Sequence, residues 1–369
     1  LSGCMQRRLY LVVVLLTCAF YLWQHSVGLS WDYAAYLMNA QYWFDSSMYF
    51  EPFRPPLVPL LMGALSIAGW MAAEYGYIIV VVLLFSVAIY RFAKLMQWEP
   101  VILLCLSLTP FMLEEGLFNG TELLSITLVL FGIIALLKHS WLSGVFLALA
   151  GLTRYSAIVV APLVILQKPR SVYKSVIAYV ATWVPWLAFN WIAYGNMFTS
   201  IADQYAQNVL YRLSYVHQTI SVMDWISVIS ILLPFFVLGL VALAHPRHWR
   251  INLTMVFVFF IVSWHYSMTP FKITHYLILI AIPVTYFAYH GFHIIKPQWR
   301  ITVALSMLVI SIAIAAFFVR TVPWDQYEHI AQQVDSNCQT YSNAWVMLNY
   351  VGQPSRPSTP SIDLTKGYL

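Results

Sequence analysis

Nine apolar runs of roughly membrane-spanning length follow one another along this chain, near residues 9–23, 76–93, 100–112, 121–137, 175–194, 224–244, 251–268, 274–294 and 301–319. A span takes about 20 predominantly apolar residues, because a helix rises about 1.5 Å per residue and the hydrocarbon layer is roughly 30 Å thick. Inside that layer every backbone N–H and C=O must be satisfied within the segment, so such runs fold as helices. The expectation is an all-α, polytopic transmembrane helical bundle. Composition agrees: 61% of the 369 residues are hydrophobic and 9% are charged, where a soluble domain carries roughly 25% charged residues. The 15 Trp and 24 Tyr suit a chain with many membrane–water boundaries, where amphipathic rings settle.

Two stretches do not read as one helix each. Residues 142–166 hold Gly151, Thr153 and Arg154 at their middle and read as two short helices, while residues 56–73 follow Pro55-Pro56 and are long enough to span or to lie at the interface. Charge decides between the arrangements. If 142–166 is a hairpin and 56–73 does not cross fully, Arg7, Arg8, Arg91, Lys94, Lys138, Lys168, Arg170, Lys174, Arg247, Arg250, Lys296 and Arg300 share one side. The positive-inside rule makes that side cytoplasmic. Glu99 is then the only cytoplasmic acid, and the other thirteen lie outside or at the outer membrane face. A full crossing at 56–73 would invert every later loop, so a re-entrant or juxtamembrane path is expected there. The expected location is the cell membrane, multi-pass, with the chemistry on the extracytoplasmic face.

The net charge of +5 has no Lys/Arg-rich stripe behind it, so no nucleic-acid partner is expected. Cys4, Cys18, Cys105 and Cys338 are far apart and show no metal-ligand spacing, which indicates neither a disulfide framework nor a zinc site. Arg7-Arg8 ahead of an apolar run resembles a signal peptide, but no small-x-small site follows, and an uncleaved first span is expected. Residues 1–319 form the membrane unit, with long outer loops at 24–55 and 195–222. Residues 320–369 form a short outer tail whose prolines among serines leave little apolar content for a domain of its own.

Three outer segments carry candidate chemistry. In the first loop Ser30 is an N-cap candidate, and Asp32, Tyr36 and Asn39 fall on one face of a short interfacial helix, with Ala34, Leu37 and Met38 on a lipid-directed side. By itself Asp32 could simply complement the helix N-terminus. Glu51-Pro-Phe-Arg54-Pro-Pro-Leu then sets a cation ahead of a double proline, a rigid corner that holds Arg54 at the water boundary. In the second segment Glu114, Glu115 and Glu122 stand within nine residues beside a long apolar run, where ionisable groups are costly unless hydrated, paired or used. In the third, Lys272 and Tyr276 stand one helical turn apart, with His275 between them, ahead of the apolar run that contains Pro283. An isolated Lys there would ordinarily snorkel to the interface.

The order of these features resembles the GT-C membrane glycosyltransferases, nearest to the branch of the protein O-mannosyltransferases and the lipid A aminoarabinose transferase. The likeness rests on the acidic first loop, Arg54-Pro-Pro-Leu-x-Pro-Leu-Leu, Thr121-Glu122 opening a span, Gly151-Leu-Thr-Arg154 and Lys272-x-x-x-Tyr276, and it covers roughly residues 9–319. The resemblance implies a sugar donor on a polyprenyl or dolichyl phosphate, used at the extracytoplasmic face to glycosylate a protein, lipid or glycan acceptor. It implies Asp32 as the catalytic acid of the first loop, Glu122 as a second acid of the site, and Arg54 and Lys272, with Tyr276, as holders of the lipid phosphate. Tyr36, Asn39, Glu51, Glu115 and His275 are further candidates to line the site. The chain departs from the pattern in having Asp32-Tyr33 where paired acids are usual, His275 where an Arg commonly precedes the Tyr, and about 49 residues where a large soluble domain often ends such chains. No residue pattern points to a particular cofactor; the acids leave room for a divalent metal, though no spacing demands one. The rival reading is a transporter or flippase for a lipid-linked solute, whose inverted repeats and interrupted midplane helices are not seen in the sequence.

Overall fold

The computed structural model describes residues 3–45, 50–210, 218–244, 249–270, 272–334 and 340–357. Cys338, Arg247 and the tail beyond residue 357 lie outside the described residues. The chain is a polytopic helical bundle, and among the described residues six helices are long and apolar enough to cross a membrane: Met5–Val27, Trp70–Met96, Pro169–Tyr194, Val222–Gly239, Trp249–Met268 and Pro297–Phe317.

Helix α1 (Gly3–Val27) is followed by α2 (Trp31–Asp45). The Ser30 hydroxyl accepts the Tyr33 N–H at 3.1 Å, the expected N-cap, which fills one orphan donor of the first turn. Helix α3 (Leu57–Leu65) tightens into a 3-10 turn through Ala68 and stops at Gly69, whose φ of +96° suits glycine, before α4 (Trp70–Met96) begins. Leu57–Ala68 rises about 20 Å, too short to cross a layer of roughly 30 Å on its own. The run at 100–112 is not the single helix expected. Helix α5 (Pro100–Ser107) ends, and α6 (Pro110–Glu115) starts at a proline that has no N–H to continue the ladder, with Thr109 capping the Met112 N–H at 3.2 Å.

Helix α7 (Glu122–Leu137) leads to α8 (Leu142–Thr153) and a 3-10 segment at Tyr155–Leu166. These last two are the expected short helices, broken where Arg154 takes an extended backbone, φ −155° and ψ 114°. Then come α9 (Pro169–Tyr194), α10 (Thr199–Tyr205), α11 (Val222–Ile229), α12 (Leu233–Gly239) and α13 (Trp249–Met268). A 3-10 segment, Thr274–Ile280, runs into α14 (Ala281–Phe292), and α15 (Pro297–Phe317) is the last long helix. The tail holds α16 (Trp324–Gln333), β1 (Thr340–Ser342), α17 (Trp345–Tyr350) and β2 (Ser355–Pro357). Its two strands pair in parallel, with Thr340 opposite Ser355.

Helices α7 and α14 are apolar on every side and almost wholly buried, so they form the interior of the bundle while longer helices surround them. At one end Trp98 stacks on Tyr289, 4.1 Å between centroids, and Arg250 meets His139 at 3.0 Å. At the other end, about 40 Å away along the 27 residues of α4, stand the starts of α2, α4 and α7. Here α2 differs from expectation. Ala34, Leu37 and Met38, expected to face lipid, are buried, because α3 folds back over α2 and α17 covers it. The tail is seated on this same end: the Val322 N–H donates to the Val27 carbonyl at 3.3 Å, Trp345 meets Trp31 edge-on at 5.2 Å, and the Tyr350 hydroxyl donates to Glu74 at 2.9 Å. Loop 24–55 and the tail therefore share a side. Single cysteines at Asp45 and Tyr341, both exposed, should label with an impermeant maleimide from the same side of sealed vesicles, and labelling from opposite sides would contradict this topology.

Candidate active site

Asp32 lies in the first turn of α2, where the helix N-terminus favours negative charge. Its side chain remains 44% exposed while Arg54 beside it is 8% exposed. What brings Arg54 there is a backbone clamp. The Asn39 amide donates to the Glu51 carbonyl and accepts the Glu51 N–H, both at 2.9 Å, so the loop is fastened to α2 four residues before the Pro55-Pro56 corner. The Arg54 guanidinium then donates to Asp32 Oδ1 at 3.0 Å and to the buried Glu51 carboxylate, and it lies 5.0 Å over the Tyr36 ring. Asn39 thus anchors the loop, Glu51 closes the far side of Arg54, and Tyr36 forms its floor.

Glu122 starts α7 and is fully buried. Its carboxylate accepts the Thr121 N–H and hydroxyl, each at 3.1 Å, and an ion pair from Arg154. A buried carboxylate needs such a complement of donors. Arg154, set free of regular structure by the break after α8, also donates to Ser156 at 2.9 Å and lies 5.4 Å over the Tyr276 ring. The sequence marks Arg154 as the break between two short helices and as part of a family motif, but not as a site residue. The usable signal was its position, a cation in the middle of an apolar stretch.

A third cluster adjoins the second. The Asn119 amide nitrogen lies within 3.5 Å of Glu115, Glu122 and His275, and His275 Nδ1 is 3.9 Å from Glu115. Arg320, the first tail residue, pairs with Glu115 and reaches Glu114 at 3.2 Å. Nothing local in the sequence announces Arg320, whose partner stands 205 residues away.

Lys272 stands apart from this set. Its ammonium donates to the carbonyls of Tyr266 at 2.9 Å, Ser267 at 2.8 Å and Thr269, the orphan acceptors at the C-terminal end of α13. Lys272 and Tyr276 do not share an α-helical face, because the segment after Lys272 is 3-10 and begins at Thr274. Burial depresses the Lys272 pKa, against a smaller opposing pull from Asp224.

Charge at the mouth is set by these pairings. Desolvation pushes the Asp32 carboxyl up, but Arg54, His275 and Arg154 together outweigh it, and Asp32 titrates below the ordinary carboxylate range. Glu51 moves the other way, raised by burial more than Arg54 lowers it. Among the described residues no group of three or more His, Cys, Asp or Glu is placed to hold a metal ion. The acids are instead taken up by arginines: Asp32 and Glu51 by Arg54, Glu122 by Arg154, Glu114 and Glu115 by Arg320.

No protein-family model and no curated protein matches the chain in sequence. Solved structures do match its fold. ArnT from Cupriavidus metallidurans bound to undecaprenyl phosphate superposes with a TM-score of 0.76 at 13% identity, covering 99% of this chain and 88% of that one. The apo state of the same protein superposes with a TM-score of 0.72 at 13% identity, covering 100% of this chain and 88% of the other. At that identity the likeness shows a shared fold across nearly the whole chain.

Proposed function

We propose that this chain is a membrane glycosyltransferase that moves a single sugar from a polyprenyl-phosphate-linked donor to an acceptor at the extracytoplasmic face. The observation that carries the reading is the pairing of a half-exposed, ionised Asp32 with Arg54, beside Arg154 and Tyr276, at the end of the bundle where the acids gather. A fold shared with a protein that binds undecaprenyl phosphate supports the donor class.

A glycosyl phosphate already has a good leaving group, so the protein needs a base for the acceptor proton and cations for the departing phosphate. The acceptor oxygen bonds to the anomeric carbon as the carbon–oxygen bond to phosphate breaks, the acceptor proton passes to Asp32, and the anomeric centre inverts. Arg54, paired with Asp32, and Arg154, over the Tyr276 ring, both act on the Asp32 charge and are the favoured phosphate cations. Lys272, with its ammonium on three carbonyls, is assigned to closing the end of α13. Glu122, fully buried and saturated with donors, shapes the site by holding Arg154.

Purified protein given a polyprenyl-phosphate sugar and acceptor should release free polyprenyl phosphate, and turnover of a nucleotide sugar in its place would overturn the donor class. The charge balance also predicts a pH effect. Because Asp32 is held below the ordinary value of about 3.9 by its cations against desolvation, it stays ionised as pH falls. Arg54→Gln removes the largest opposing pull, so the acid limb of kcat/KM should move to higher pH. An acid limb that stays in place would show that the limb does not report Asp32.

A further inference from the structure

A cleft of about 600 Å³ opens in the tail, away from the arginine-lined centre, between α16 and the turn that ends α17. Its volume falls in the range of roughly 300–1,000 Å³ typical of small-molecule sites. On one wall Trp324, Glu328, Ala331 and Gln332 follow the spacing of a single helix face; on the other stand Tyr350, Val351, Gly352 and Gln353. Helix α16 fully buries none of its residues: Trp324 packs partly on the bundle core, while Glu328 and Gln332 beside it stay exposed. Trp324 and Tyr350 make an aromatic corner, their ring centroids 5.1 Å apart and tilted by 38°.

The chemistry of the wall selects its occupant. Aromatic faces offer apolar contact of low conformational cost, and next to them stand the exposed Glu328 carboxylate and Gln332 carboxamide, which between them accept and donate hydrogen bonds, while the buried Gln353 amide already donates to Thr340 at 3.4 Å. An apolar ligand would cover Glu328 and Gln332 without answering their hydrogen bonds. A phosphate or other anion would meet Glu328, with Glu74 behind the Tyr350 hydroxyl and no cation among the described lining residues. A sugar ring, which has a C–H face and a rim of neutral hydroxyls, matches both kinds of surface.

The cleft is also coupled to the proposed reaction centre. Trp345, at the start of α17, packs on Trp31, the residue before Asp32, and the five residues to Tyr350 span about 7.5 Å of helix. Tyr350 and Tyr33 both bond to Glu74, the first to its carboxylate and the second to its carbonyl. We infer that the cleft between α16 and α17 is a saccharide-binding subsite that holds the glycan portion of the acceptor. The acceptor role rests on the transfer reaction proposed above; the binding of sugar does not.

The test uses the full-length protein in nanodiscs and four free disaccharides, gluco and galacto, each with and without an N-acetyl group, observed by saturation-transfer NMR and by Trp fluorescence. At least one should bind the wild type, with affinity reduced tenfold or more in Trp324→Ala and in Glu328→Ala, whose exposed side chain carries no packing role. Asp32→Asn should bind it as the wild type does, and the two cleft variants should still release polyprenyl phosphate from donor by hydrolysis. No binding by the wild type, or equal binding by the wild type and both cleft variants, overturns the subsite. Binding that is lost in the cleft variants but has no effect on transfer leaves a saccharide cleft and overturns its role as acceptor site. Loss of donor turnover in the wild type would instead strike the proposed reaction.

Discussion

Asp32→Asn should lower sugar transfer by roughly 100- to 10,000-fold, the usual contribution of a positioned general base, while the protein stays folded and donor affinity remains close to that of the wild type. Asn is nearly isosteric and can still accept from Arg54, which reaches Oδ1 at 3.0 Å, but it cannot take the acceptor proton. Steady-state transfer together with equilibrium donor binding separates the two effects. If Asp32 only complemented the start of α2, the change would cost about 0.3–1 kcal/mol of stability and leave turnover intact. Wild-type turnover in this variant would end its assignment as base, and a larger loss in Glu122→Gln than in Asp32→Asn would move the base to Glu122.

The largest stability effect is expected at Arg154. Glu122 is fully buried and draws its charge compensation from this one guanidinium. Arg154→Met leaves a buried carboxylate unpaired, a change that costs about 3–5 kcal/mol in comparable pairs. The double variant Glu122→Gln/Arg154→Met removes both charges and should recover much of that loss, since a neutral pair of similar volume avoids desolvating ions. Thermal unfolding in lipid nanodiscs should rank the wild type above the double variant and the double variant above Arg154→Met. A single variant as stable as the double would mean that Glu122 is not carried as a charge. Recovery of fold without recovery of transfer in the double variant would place Arg154 at the donor phosphate as well.

The residue types of this site are visible in the sequence, but its pairings are not. The Asp32 face of α2, the Ser30 cap and the rigid Arg54 corner follow from local rules, because capping, proline geometry and helical period act over a few residues. The break at Arg154 is visible for the same reason. Partner choice is a different matter. Arg54, Arg154 and Lys272 look equivalent as cations at an outer boundary, and what separates them is a neighbour that no local pattern announces: Asp32 across 22 residues, Glu122 across 32, and for Lys272 the open end of α13 just behind it. The lipid-facing side expected for α2 failed likewise. Ala34, Leu37 and Met38 are apolar, and whether an apolar face meets lipid or protein depends on α3 and α17 arriving over it.

The seat of Arg320 on Glu114 and Glu115 bears on how the protein is made. Glu115 enters the membrane system 205 residues before its arginine, and at about 5–20 residues per second the ribosome takes about 10–40 s to supply it. During that interval α1, α2 and α4 to α7 can insert and assemble, and Asp32 can meet Arg54, but Glu114 and Glu115 have not yet met Arg320. Arg320 therefore arrives late relative to its partners: the polar mouth is completed when the stretch beyond α15 folds back onto the end of the first helix.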